Sequence, residues 1–89
     1  MRSTIYKYPL EITDEQFIEV PTGTEFLTVM YQDDNLFIWG KHQVNEVGDT
    51  KINRKIVIVG TGHVFDDSDK TYIGSVQRRQ FVWHVYEGN

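Results

Sequence analysis

Apolar and polar residues alternate along the chain in short blocks separated by turn residues, which is the pattern of half-buried strands. Residues 4–8 place Ile5 and Lys7 on one face and Thr4, Tyr6 and Tyr8 on the other, and Pro9 stops this strand or confines it to an edge. Thr13, Asp14, Glu15 and Gln16 have the form of a capping box, but the sequence turns β-like at Phe17, so a single helical turn is expected there. A short strand over 17–20 ends at Pro21, Thr22 and Gly23. Residues 25–31 and 36–44 form the clearest hairpin, joined at Asp33, Asp34 and Asn35, and a polar loop over 45–53 follows.

The strongest apolar run is Ile56, Val57, Ile58 and Val59. β-branching suits a pleated strand, and an unbroken run of it predicts burial on both faces. Gly60, Thr61, Gly62 and His63 then turn the chain. Asp66, Asp67, Ser68 and Asp69 read as a solvated acidic turn. A strand over 71–77 carries Gly74, which marks a bulge or a close backbone approach. The last strand, 81–86, sets Phe81, Trp83 and Val85 against Val82, His84 and Tyr86. The expectation is an all-β protein, a small antiparallel sandwich or partly open barrel of about seven short strands, in a single β domain over residues 1–89.

Composition narrows the function classes. No cysteine is present, so disulfides and thiolate metal sites are excluded. A net charge of −4 argues against binding duplex nucleic acid, whose phosphates demand Lys and Arg. No stretch approaches the roughly 18 apolar residues of a membrane span, and Met1, Arg2, Ser3 and Thr4 lack a signal-peptide core, so a cytosolic protein is expected. Free edge strands in so small a sheet protein favour a homo-oligomer.

Candidate chemistry is sparse. The turn of Gly60, Thr61, Gly62 and His63 offers successive N–H groups and two side-chain donors to an anion, although it is neither a Walker loop nor a dinucleotide fingerprint. Arg78 and Arg79, in a hairpin turn, are expected to pair their charges with such a ligand from another copy of the chain. Trp39, His84 and Tyr86 are candidate anchors for a macromolecular partner. His42, His63 and His84 stand on separate elements with uninformative spacing, and neither a metal site nor a cofactor is expected. No serine occupies a Gly-x-Ser-x-Gly elbow, and no catalytic residue is assigned; the expectation is a non-enzyme.

Several stretches resemble a family of short proteins of bacteriophages and prophage regions described as a domain of unknown function. They are residues 5–16, from Ile5 to Gln16, residues 59–63, residues 72–77 and residues 81–87. Residues 33–54 match less well. The resemblance implies an all-β phage accessory protein working in the host bacterial cytoplasm, without known catalytic residues. By analogy with that class, the expected role is counter-defence, by sequestering a nucleotide-type immune signal or by blocking a host defence protein. A virion or assembly component without a ligand is the alternative.

Overall fold

The computed structural model describes residues 1–88. It contains seven strands, β1 (Ser3–Leu10), β2 (Glu15–Pro21), β3 (Glu25–Gln32), β4 (Asn35–Gln43), β5 (Lys51–Gly60), β6 (Lys70–Arg78) and β7 (Phe81–Gly88). They form two antiparallel sheets, one ordered β1-β4-β3 and the other β2-β5-β7-β6, which do not close into a barrel. The sheets meet where β3 lies against β6. Among the described residues no helix is long and apolar enough to cross a membrane.

Alternation builds the core. Leu10, Val29, Leu36 and Ile38 from the three-stranded sheet face Ile56, Ile58, Val76 and Val85 from the four-stranded sheet. Each such side chain, fully buried, contributes about 1.5–3 kcal/mol. β5 is the strand covered on both sides, with residues 56–60 all buried, as its β-branched run predicts. Ile56 and Ile58 enter the core, while Val57 and Val59 lie under the chain around His63 and Phe65.

Three local expectations are corrected. No helical turn forms at Thr13; Gln16 folds back instead, its Nε2 donating to the Glu11 carbonyl at 2.7 Å and its Oε1 accepting from the Glu11 amide at 3.1 Å. Pro9 keeps to the second of its two expected places, inside an edge strand, where the ladder does not need its missing N–H. The polar loop ends earlier than residue 53, since β5 begins at Lys51 and pairs with β2 from its first residue. Simple alternation in β3 fails at a bulge between Phe26 and Thr28, which turns Phe26 toward the core with Val29 and leaves Leu27 exposed.

The inner face of β4 is packed tightly at Gly40. A Cβ there would come within 2.6 Å of Thr24 Cγ2 and 3.3 Å of Tyr8 Cε2. Thr24 has little room to withdraw, being buried with its hydroxyl donating to the Pro21 carbonyl at 2.6 Å. Nearby, buried His42 faces Asp49 across 3.4 Å and the Tyr6 ring across 5.2 Å. Burial of the Tyr8 phenol raises its pKa, and the charges of Tyr6 and Asp49 add to the effect.

Gly40→Ala is therefore expected to cost about 1–3 kcal/mol by overpacking, measured by urea denaturation. The Tyr8 shift has a definite sign. Its folded value lies above the unfolded one, so its contribution is complete below pH ~10 and is lost as the pH rises through the folded value. Tyr8→Phe removes this component, so denaturation above pH ~10 should show the variant gaining on the wild type relative to neutral pH.

Candidate functional site

The turn after β5 stands beside β7, and its geometry follows from its glycines. The His63 amide donates to the Gly60 carbonyl at 3.0 Å, and Gly62 has φ +90, closing a β-turn whose third residue needs a positive φ. A Cβ on Gly60 would lie 3.2 Å from both the His63 and Trp83 rings, so glycine permits their joint approach. The Thr61 amide donates to the Val82 carbonyl at 3.3 Å. Two amides of the turn are thus spent inside the fold, which leaves little of an anion cradle.

Gly60, Thr61, Gly62 and His63 instead line a hollow of about 260 Å³ with Phe65, His84 and Tyr86. This hollow lies on the outer face of the four-stranded sheet, because His84 and Tyr86 alternate with the core-facing Trp83 and Val85. The rings of Phe65 and Tyr86 are 5.1 Å apart, and those of Tyr72 and Tyr86 are 5.3 Å apart. No carboxylate, ammonium or guanidinium lines it.

A chain of hydrogen bonds runs along the same face. Tyr72 Oη and Ser75 Oγ are 2.6 Å apart, Ser75 Oγ and His84 Nδ1 are 2.7 Å apart, and His84 Nε2 and Thr61 Oγ1 are 2.7 Å apart. Thr61 Oγ1 donates to the Val82 carbonyl at 3.4 Å. Only one direction satisfies all four contacts. The carbonyl accepts, so Thr61 accepts from Nε2–H of His84; Nδ1 then accepts from Ser75, which accepts from Tyr72. Ser75, Tyr72 and Phe65 escape a reading by alternation. Residues 72 and 75 would fall on opposite faces of a regular strand, and the bulge between Tyr72 and Gly74 puts both outside, opposite Tyr86 and His84.

Arg78 and Arg79 belong elsewhere. They line a cleft of about 430 Å³ at the end of the sandwich, with Leu10, Tyr31, Phe81 and Trp83. Arg78 donates from Nη1 to the Asp34 carbonyl at 2.5 Å and lies over the Tyr31 ring at 5.4 Å. Arg79 has φ +57, a conformation that costs a residue with a Cβ roughly 1–3 kcal/mol. Phe81 and Trp83 stack with centroids 5.8 Å apart. Trp39 is separate from both places, on the outer face of the three-stranded sheet, edge-on to Phe37 at 5.9 Å.

Among the described residues no cluster of three or more His, Asp or Glu side chains is arranged to hold a metal ion. His42, His63 and His84 stand in the inner face of β4, the glycine turn and the outer face of β7. The acidic turn holds itself together, with the Asp66 carboxylate accepting from the Ser68 amide at 2.9 Å. That bond, with the Ser68 hydroxyl, lowers the Asp66 pKa.

A family model described as "Domain of unknown function (DUF7352)" matches residues 1–89. No curated protein and no solved structure matches the chain.

The direction of the hydrogen-bond chain fixes the neutral tautomer of His84 as Nε2–H. Long-range proton–nitrogen spectra at neutral pH should show that tautomer. An Nδ1–H signal for His84 would reverse the chain.

Proposed function

The chain belongs to the family of domains of unknown function designated DUF7352, and we propose that it is a non-catalytic binding protein whose end cleft takes a planar anionic small molecule of the nucleotide class. The observation that carries this reading is the cleft's lining. Its volume of about 430 Å³ is within the ~300–1,000 Å³ of small-molecule sites, and it combines stacked Phe81 and Trp83 with the guanidinium groups of Arg78 and Arg79. Aromatic faces suit a base, and a guanidinium suits a phosphate. Arg78 is engaged with Asp34, so Arg79 is the group with charge to offer.

The strain at Arg79 supports the same reading. Glycine is the residue that adopts φ +57 without cost, and a long cation standing there instead favours a role for its charge. In biological terms the proposal is a phage accessory protein that sequesters a nucleotide-type immune signal in the bacterial host cytoplasm as a homo-oligomer. Assembly would bring the glycine turn of one copy to the arginines of another, which a single chain keeps on different faces. A second reading, blockage of a host defence protein, is favoured by the outer face around Trp39, where Ile5 is 53% and Met30 46% exposed.

The test is native mass spectrometry of the protein alone and with a panel of linear and cyclic nucleotides, for wild type and Arg79→Gly. A retained nucleotide mass on a defined oligomer is expected for the wild type. Arg79→Gly should lose it while keeping its stability within about 1 kcal/mol, since the relieved strain offsets the added chain entropy. No added mass on the wild type, or the same mass on Arg79→Gly, would overturn the reading.

A further inference from the structure

The hollow beside the glycine turn has chemistry of another kind. We propose that it binds a neutral polyhydroxylated ligand, one sugar unit of a glycan, on the outer face of β7. The first argument is charge. The end cleft gathers guanidinium groups, whereas the hollow is lined by Val59, the glycine turn, Phe65, His84 and Tyr86, with no charged side chain at neutral His. An anion or a cation entering it would lose hydration without a counter-charge, while a neutral polyol would not.

The second argument is the pairing of aromatic faces with hydroxyl and imidazole groups. Phe65 and Tyr86 form a tilted pair at 49°, so their rings make two walls of a small corner. The negative face of an aromatic ring attracts the polarised C–H groups on one side of a sugar ring. The hydroxyl rim of the same ring can donate to acceptors and accept from donors. Thr61 lines the hollow and, with its proton given to the Val82 carbonyl, keeps one Oγ1 lone pair to accept from a ligand, while the His63 imidazole and Tyr86 hydroxyl stand beside it without a hydrogen-bond partner among the described residues. The Tyr86 hydroxyl and a neutral imidazole can each donate and accept, so uncharged side chains suffice to bind that rim.

The third argument is preorganisation and size. The Tyr72, Ser75, His84 and Thr61 chain fixes the Thr61 hydroxyl before any ligand arrives, which removes part of the ordering cost of binding. At about 260 Å³ the hollow is below the ~300 Å³ lower limit for drug-sized ligands, so it admits one ring and leaves the rest of a glycan on the open surface toward Tyr72, which is 55% exposed. This inference does not depend on the nucleotide reading of the end cleft.

The experiment is a proton–nitrogen correlation titration of the intact protein with a panel of neutral probes: methyl glucoside, methyl galactoside, N-acetylglucosamine and the gluco- and chito-oligosaccharides. Saturable shifts at millimolar probe, confined to Thr61, Gly62, His63, His84 and Tyr86, are the expected result for at least one sugar. Phe65→Ala should then weaken binding about tenfold, the equivalent of roughly 1.4 kcal/mol. Thr61→Val, which keeps shape and breaks the chain, should weaken it severalfold. Absence of saturable shifts across the panel would overturn the proposal. So would shifts centred on Arg79 and Trp83, or affinities unchanged in both variants while each retains the wild-type spectrum elsewhere.

Discussion

The fold depends on how closely β6 can approach β3. A Cβ on Gly74 would come within 3.1 Å of Val29 Cγ2, so the strand that ends one sheet lies almost directly on the strand that ends the other. Both strands carry a bulge near this contact, between Tyr72 and Gly74 in β6 and between Phe26 and Thr28 in β3. A bulge bends a strand and increases its twist, which is the deformation needed to bring two sheet edges together without merging them. The same two irregularities decide which side chains face where. In β3 the bulge sends Phe26 into the core, and in β6 it sends Tyr72 and Ser75 to the surface opposite Tyr86 and His84. Packing at the sheet junction and assembly of the outer hydrogen-bond chain are therefore one structural event.

A second tie between the sheets is polar. Arg54 on β5 grips Glu87 on β7 with both ends of its fork, donates to the Thr24 carbonyl at 2.9 Å and lies over the Phe26 ring at 4.7 Å. The hydrogen bond to Glu87 raises the Arg54 pKa, against the opposing effect of burial. About a fifth of each side chain is exposed, so the pair is neither a surface bridge of negligible worth nor a fully desolvated one. Its value is geometric: the bidentate fork orients Arg54 so that its remaining donor reaches the turn that carries the chain from β2 into β3 of the other sheet.

The sequence made the elements legible and left their irregularities mostly hidden. The β-branched run ending at Val59 marked the central strand, Gly74 marked a bulge or close approach, and Asp33, Asp34 and Asn35 marked a turn, which the structure narrows to Asp33 and Asp34 at positive φ of 50 and 68. Each signal is local and acts through backbone sterics. The failure at Thr13 has the opposite cause: Gln16 bonds to the Glu11 backbone and not to the Thr13 amide that a capping box would use, and pairing of Glu15 with Val57 commits the backbone to a strand. Phe26 could not be placed because nothing in its neighbours distinguishes a bulge at Leu27 from continued alternation. Tyr72 and Ser75 were within reach once a bulge at Gly74 was granted, since a bulge there allows residues three apart to share a face.

Alternation along β7 also explains why the candidate residues divide into two places. Gly60 pairs with Trp83, and Arg78 pairs with Phe81, so the glycine turn and the arginine hairpin lie at the same end of the sheet and only a few residues apart. Proximity along the sheet does not give a shared site. Trp83 faces inward to the cleft with the arginines, and His84, the next residue, faces outward to the turn. The partition sorts the chemistry, with guanidinium groups at the cleft and hydroxyl and imidazole groups in the outer hollow. A ligand small enough to sit in either place cannot touch both within one chain. A site that joined the outer hollow to the arginines by assembly would draw them from different copies, and oligomeric state is the physical variable on which such a combined site would depend.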